Sequence, residues 1–508
     1  MMAVVAVVLV ALALPRAASA QFVAGGAGLE AVAEEKAGAT DVRGRLSASS
    51  TYYAESADDV TGESASPFAL LFSDLRARLS ATRLGRVRWG ATLDARVRVA
   101  SDDRAARGAV GGSETDLGEA FVMRRSGKTD VVFGRQLVRE ADAITVDGVR
   151  VEWQAGGTTR GGLFLGASPN PYSRSLGNDY ATSDEELRGI TDLPIAAGAY
   201  AAYRTTRAHG SVAAAALHPR DADPADDDPL RAFAAAQGYL RVRDGLDLHH
   251  YAVVEAAGEL AGEVSLLQAG FTWRPRSAWL VEAGVSRQST RAIALYLREL
   301  LERPESELLP GAPPPGAPLK ANLTLARVGT DEARARATWS TLDRRGHVYA
   351  EARVRSRDAL DDPLLPPELA VLPADRQLDL TAGVRRRQAL RGFSLAANVV
   401  SIRGDRADSL HLSARAHRSL LHDRLELEFE LARVAWEDLC DPAAMDPTCT
   451  GTSTGTTLRA GAFAIYQQSR RLWFLADVRL ATTSGEAGGV TRPDVASRAL
   501  FARAQYSF

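Results

Sequence analysis

The fold class this sequence predicts is all-β: a single large antiparallel transmembrane β-barrel. Three observations carry it. Apolar and polar residues alternate with period two through most of the chain, which sends successive side chains to opposite faces of a strand. The connections between the alternating segments switch regularly between short and long, as they do in bacterial outer-membrane barrels, which have short periplasmic turns and long extracellular loops. The C-terminal "RALFARAQYSF" keeps the alternation to its end and finishes on Tyr506 and Phe508, where a soluble domain ordinarily frays into polar residues.

The first element is a leader. "MMAVVAVVLVALALPRAASA" has an apolar core too short to span a bilayer, then Pro15 and the small residues Ala18, Ser19 and Ala20. Residues 1–20 are therefore expected to be a secretory signal peptide cleaved before Gln21, although no Lys or Arg precedes the apolar run. Residues 21–40 are expected to form a periplasmic N-terminal segment. No later apolar run reaches the length of a membrane-spanning helix, so strands must do the crossing, and residues 41–508 are assigned to the barrel.

The clearest strand is "RVRWGATLDARVRV" at 86–99. Val87, Trp89, Ala91, Leu93, Ala95, Val97 and Val99 line one face; Arg86, Arg88, Gly90, Thr92, Asp94, Arg96 and Arg98 line the other. A soluble sandwich needs bulky residues on its apolar face, because that face meets a second sheet. Here many apolar positions are alanine and the polar faces are heavily charged, the signature of a sheet with lipid on one side and water on the other. Closure would remove the edge strands that an exported sheet otherwise exposes.

Counting back from Phe508 as a periplasmic end, and writing the result in chain order, segments fall near 41–54, 68–82, 86–99, 115–125, 128–136, 146–155, 160–168 and 195–207. They continue at 209–218, 230–243, 246–257, 260–273, 277–290, 331–342 and 345–357. The last are 376–388, 390–403, 406–418, 421–436, 455–468, 471–484 and 496–508, which makes 22. Demoting the weaker segments 128–136 and 209–218 to loops leaves 18 to 20. On the count of 22, short turns such as "SGK" at 126, "DG" at 244, "RPRS" at 274 and "DRRG" at 343 are periplasmic, and the long connections 169–194, 291–330, 358–375 and 437–454 are outside. Trp89, Trp153, Trp273, Trp279, Trp339 and Trp473 then fall at periplasmic strand ends and Trp436 at an outer end, as an interfacial aromatic girdle requires. Trp473 has the inward phase.

Composition narrows function. With 61 Lys and Arg against 63 Asp and Glu, the chain lacks the basic excess of a nucleic-acid binder, and no nucleic-acid partner is expected. Nearly all the basic residues are arginine, a bias that a GC-rich genome produces without function. Cys440 and Cys449 in "CDPAAMDPTC" suit one disulfide pinching a loop in an oxidising compartment; two ligands do not make a zinc site, and no cofactor is expected.

Catalytic motifs are missing: there is no Gly-x-Ser-x-Gly, HExxH, P-loop or repeated CxxC. The inward phase of 406–418 shows His411, Ser413, Arg415 and His417, and the next strand shows Glu426, Glu428 and Glu430. Pairing across a turn at 419–423 sets Arg415 opposite Glu426 and His411 opposite Glu430, an ion-pair ladder far more readily than a hydrolase site. Connection 291–330 offers an amphipathic helix to about Glu302 and then a proline-rich stretch; folded inward, it would narrow the lumen.

The stretch 115–153 resembles the porin-like family that includes the alginate-export barrels. It carries Glu119 and Ala120 of an acidic strand, Gly134, Arg135 and Gln136 ending the next, and Asp147 and Gly148 opening the one after. Arg135 and Asp147 flank an outer loop and are placed to hold it by an ion pair. The resemblance implies passage of a solute, in some members an anionic polysaccharide, through an arginine-lined lumen. Inward-phase arginines are Arg76, Arg78, Arg86, Arg88, Arg96 and Arg98, then Arg150, Arg334, Arg336, Arg353 and Arg355; guanidinium groups suit carboxylate and phosphate.

The expected function is a passive outer-membrane channel, with no enzyme activity, for a hydrophilic solute or polysaccharide that the arginines favour as an anion. Its expected surroundings are outer-membrane lipid, lipopolysaccharide and the barrel assembly machinery, which would recognise Tyr506 and Phe508 in the closing strand. A non-conducting surface protein that binds partners through its loops, or less readily an outer-membrane hydrolase, is the alternative.

Overall fold

The computed structural model describes residues 41–57, 68–84, 89–101, 114–169, 195–218, 231–257, 261–290, 328–343, 345–358, 360–361, 371–372, 374–390, 392–405, 407–438, 453–487 and 490–508. The leader, residues 21–40, Arg86 and Arg88, both cysteines and the expected helix after Thr290 lie outside the described residues.

The strands in chain order are β1 (Asp41–Ala57), β2 (Phe68–Leu84), β3 (Trp89–Ala100), β4 (Glu114–Ser126), β5 (Thr129–Val138), β6 (Ile144–Gln154), β7 (Thr159–Ala167) and β8 (Ile195–Arg204). Next come β9 (Ala208–Leu217), β10 (Arg231–Arg243), β11 (Leu246–Ala257), β12 (Val264–Trp273), β13 (Trp279–Thr290), β14 (Val328–Ser340) and β15 (Gly346–Arg357). After the two-residue β16 (Leu360–Asp361) and β17 (Val371–Leu372) follow β18 (Asp375–Leu390), β19 (Phe393–Gly404), β20 (Ala407–Leu420), β21 (Leu425–Asp438), β22 (Ser453–Gln467), β23 (Leu472–Ala487) and β24 (Val490–Ser507). β16 and β17 pair only with each other; the remaining strands form one 22-stranded sheet in which each is antiparallel to its neighbours. The weaker segments 128–136 and 209–218 are the wall strands β5 and β9.

Closure is made by β24 against β1, in register from Arg45↔Ser507 to Ala57↔Val495. The last residue belongs to that seam. Phe508 donates its amide to the Gly44 carbonyl at 3.0 Å and accepts from the Gly44 amide at 2.9 Å. Its ring lies where a Cβ on Gly44 would be, and stacks on Tyr506 at 6.0 Å. The seam leaves the wall without an edge strand, the condition for crossing a lipid bilayer.

One face of each strand carries exposed large apolar residues. On β2 and β3 these are Leu71, Leu75, Trp89, Val97 and Val99, and Leu500 on β24 is among those with the same phase. Five tryptophans, Trp89, Trp153, Trp273, Trp279 and Trp339, share this outward phase at periplasmic strand ends and are 38–43% exposed. An apolar outer band edged by tryptophans is a lipid-facing wall, and the protein is accordingly an outer-membrane barrel.

Two details of the expected map need correction. The β20–β21 turn is 421–424, later than 419–423, so Arg415 faces Glu430 and His417 faces Glu428, while His411 faces Val434. The register slips by four because β20 runs on through Ser419 and Leu420 before Leu421, His422 and Asp423 turn through left-handed φ values of 52°, 57° and 64°. The loop between Arg135 and Asp147, expected as an outer loop, is the tip of a hairpin that turns inward.

Candidate functional site: the lumen and its constriction

Strand phase sets Arg76 and Arg78 on β2, and Asp94, Arg96 and Arg98 on β3, on the lumen side. Asp94 is held down between two arginines: Arg76 donates from Nε at 2.8 Å and from its terminal nitrogen at 2.9 Å, and Arg78 donates from Nε at 2.8 Å. Arg98 clasps Asp74 at 2.7 and 3.0 Å, and Arg96 donates to Glu114 at 2.7 Å. Burial is uneven around Asp94, whereas Arg98 and Asp74 are 10% and 18% exposed. The Asp94 side chain is 6% exposed, against 49% for Arg76 and 57% for Arg78. The short carboxylate stays at the wall while the long guanidinium stems reach towards the water-filled interior.

Across the barrel the same plan recurs on β14, β15 and β18. Arg353 donates from Nε to Asp379 at 2.6 Å, with Asp379 5% and Arg353 33% exposed. Glu332 sits 3.5 Å from Arg355 and 3.8 Å from Arg353, and Arg336 lies 3.7 Å from Glu351 and over the Tyr349 ring at 4.2 Å. Arg334 shares this inward phase and makes no ion pair among the described residues. On β20 and β21, Arg415 donates to Glu430 at 2.9 Å and approaches Glu428 at 4.0 Å, while His417 lies 3.8 Å from Glu426. His411 has Ser409 Oγ at 2.9 Å from its Nε2. No carboxylate is within ion-pair distance of His411 among the described residues, and strand amides there are committed to the ladder, so this serine–histidine contact lacks both an orienting acid and an oxyanion site.

The tip of the β5–β6 hairpin turns into the lumen. β4 pairs with β5 only as far as Ala120↔Arg135, and β7 pairs with β6 only from Asp147↔Ala167 downward. Residues 136–146 pair with each other alone, through Gln136↔Val146 and Val138↔Ile144, and leave the wall. The five residues of the family resemblance sit at the bend. Gly134 has φ 120° and its Cβ would meet the Ala120 carbonyl; a Cβ on Gly148 would meet the Leu165 carbonyl. Arg135 donates to both Asp147 oxygens at 2.7 and 2.6 Å and to the Leu117 carbonyl at 3.0 Å, bridging the hairpin to the β4 stretch it no longer pairs with. Gln136 is 1% exposed, with its amide 3.5 Å from the Gly148 carbonyl. Arg150 is lumen-side between them, paired with Val132 and Phe164.

Beyond the bend, Val138, Ala141, Ile144 and Val146 pack on Phe164, Ala196, Tyr200, Ala213, Ala215, Phe233, Ala235 and Val253 of β7 to β11. Polar contacts pin the tip. Glu140 pairs with Arg160, which also lies 3.4 Å from Glu152; Glu152 in turn accepts from Tyr200 at 2.6 Å. The Tyr251 hydroxyl donates to Asp142, and Arg231 stands 3.8 Å from Asp142 while pairing with Glu255 at 2.6 Å. Asp142 and Ala143 close the turn in the left-handed region, φ 57° and 55°.

This inward tip was missed from sequence, and a signal was there. β8, "IAAGAYAAYR", and β9, "AHGSVAAAAL", are apolar on both faces. A strand with lipid outside and water inside has no reason for that; a covered inner face does.

Two expected results follow from the geometry. Gly134→Ala places a Cβ in a conformation and a space that both exclude it, at a cost of roughly 1–3 kcal/mol. Loss of heat resistance of the folded barrel on gels tests this, and an unchanged transition would remove the close-approach argument. Burial raises the Asp142 pKa above the usual carboxylate range, against the opposing effects of the Tyr251 hydrogen bond and Arg231, with Glu255 adding to the rise. A raised folded-state value means that docking is strongest below the ordinary carboxylate pKa and weakens as pH rises through the raised one. Open-channel noise should therefore increase as pH rises through the Asp142 titration, and Asp142→Asn should flatten that dependence.

No protein-family model matches the sequence, and no curated protein matches it. Among solved structures, Pseudomonas aeruginosa OccK8 (OprE) is 9% identical, covering 92% of this chain and 98% of that one with a TM-score of 0.40. P. aeruginosa OpdQ is 10% identical with the same coverages and a TM-score of 0.38. Acinetobacter baumannii OccAB3 is 10% identical, covering 92% and 100%, with a TM-score of 0.39. At such values the likeness leaves function to the chain's own geometry.

Proposed function

We propose that this outer-membrane barrel is a channel that passes hydrophilic solutes and favours anions. The observation that carries the reading is the unequal burial in two ion-pair clusters: Asp94 and Asp379 are 5% and 4% exposed, so at these two places the wall hides a carboxylate and presents guanidinium groups. Around Asp94 and Asp379 the acid and arginine charges therefore do not cancel at the solvent surface, while Glu426, Glu428 and Glu430 remain part-exposed beside Arg415. Exposed planar cations recognise carboxylate and phosphate. The alginate-export-like residues around Gly134 and Asp147 extend the candidate solutes to an anionic polysaccharide.

Planar-bilayer recording across a salt gradient tests this. The reversal potential is expected to show anion preference, and Arg76→Gln with Arg78→Gln is expected to move it towards the unselective value. A cation-selective channel would overturn the anion reading, and a folded barrel that never conducts would favour a loop-binding surface protein instead.

A further inference from the structure

We propose that the periplasmic rim from the β12–β13 turn to the end of β18 binds an anionic phospholipid of the periplasmic leaflet. The first ground is charge. In the sequence, the ten periplasmic connections hold twelve Lys and Arg against three Asp, whereas the outer connections hold 30 acidic against 12 basic residues. The barrel is thus a charge dipole along its axis, cationic at the end that meets phospholipid headgroups.

The second ground is depth. Trp273, Trp279 and Trp339 face outward side by side, with Trp279 paired to Trp339 and Trp273 to Val281. Tryptophan marks the boundary between acyl chains and headgroups. Arg274 and Arg276 follow Trp273 by one and three residues, which at roughly 3.3 Å per residue puts them within about 10 Å of that boundary, at phosphate level.

Continuity is the third ground. The Arg274 amide donates to the Gly245 carbonyl at 2.6 Å, Ser340 to Ala278 at 2.7 Å and Arg387 to Arg345 at 2.7 Å, so successive turns form one ledge. Its cations are only loosely engaged by protein acids: Arg274 is 3.7 Å from Asp247 and Arg386 is 4.0 Å from Asp343, and their side chains are 56% and 59% exposed. Asp343 is occupied within its own turn, accepting from Thr341 and from the Arg345 amide at 3.0 Å. On the same ledge Leu342 is 99% exposed, an apolar side chain that a lipid interface would cover and water would not. Apolar and cationic groups at one depth favour a lipid over an acidic protein.

Native mass spectrometry of the full-length barrel, mixed with equal amounts of phosphatidylglycerol and phosphatidylcholine, tests the proposal. Phosphatidylglycerol is expected to be retained preferentially, with the preference falling roughly fivefold for each of Arg274, Arg276, Arg345 and Arg386 changed to Gln. The four-Lys variant keeps the charge and should keep the preference. Equal retention of the two lipids, or an undiminished preference in a folded four-Gln variant, would overturn it. Displacement of the lipid by excess inorganic phosphate, at constant ionic strength, would show a free-anion site instead. Binding of an acidic periplasmic protein with no lipid preference would also refute it.

Discussion

Replacing Ala141 with aspartate is expected to widen the pore, raising single-channel conductance several-fold in a barrel that still assembles. Ala141 is fully buried in the apolar cluster beneath the hairpin tip. A carboxylate there has no partner, and an uncompensated buried charge costs several kcal/mol. Against that stand the contacts of Glu140 with Arg160 and Asp142 with Tyr251, charge-assisted links of about 1.5–3 kcal/mol each at most. Both sit on the same tip and are lost together once it swings away, so about 3–6 kcal/mol at most opposes release, and the stranded carboxylate has to outweigh that sum. The wall survives, since 129–135 and 147–154 keep their pairing with β4 and β7.

Twenty-two strands enclose a lumen wide enough to need an internal obstruction, so releasing this one should be visible in the current. Ala143→Asn is the control: Ala143 is exposed and already left-handed at φ 55°, a conformation asparagine tolerates. Unchanged conductance in Ala141→Asp, with normal folded migration on gels, would mean that the tip does not set the width.

How much of this was legible in the sequence follows from what period two can encode. Alternation marks a wall strand wherever one face meets lipid and the other water, so strands such as 86–99 and the closing strand to Phe508 could be placed within a few residues. Register is harder. A turn of unusual backbone moves a pairing without changing any residue's face, and for that reason Glu426, Glu428 and Glu430 were on the right side of the wall but opposite the wrong partners. The constriction was harder still. Residues 136–146 keep a hairpin's alternation while leaving the sheet, and only the two-faced apolarity of β8 and β9 betrays what covers them. Gly134, Arg135, Gln136, Asp147 and Gly148 were visible as a motif; that they form the bend which sends the hairpin inward required the third dimension.

Charge, unlike constriction, can be tested through a residue that solutes hardly touch. Asp94→Asn is expected to raise anion preference while lowering the stability of the barrel, the opposite electrical sign from Arg76→Gln with Arg78→Gln. At 5% exposure, Asp94 contacts little solvent. What it does is neutralise half of the charge on Arg76 and Arg78 and hold both stems against β3. Asparagine keeps the shape and an accepting oxygen but removes the charge, so two guanidinium groups lose their common counter-ion. Hydrogen bonds to charged groups contribute about 1.5–3 kcal/mol, and leaving a cation uncompensated at a half-buried site costs something of the same order. The lower folded stability should appear in a denaturant titration. Electrically, the lumen gains one net positive charge beside two exposed guanidinium groups, and the reversal potential moves further towards the anion limit, an effect that screening will shrink at high salt. If Asp94 instead faced the permeating ions directly, its removal would change conductance without a stability cost; if the arginines did not set selectivity, the reversal potential would stay where it was.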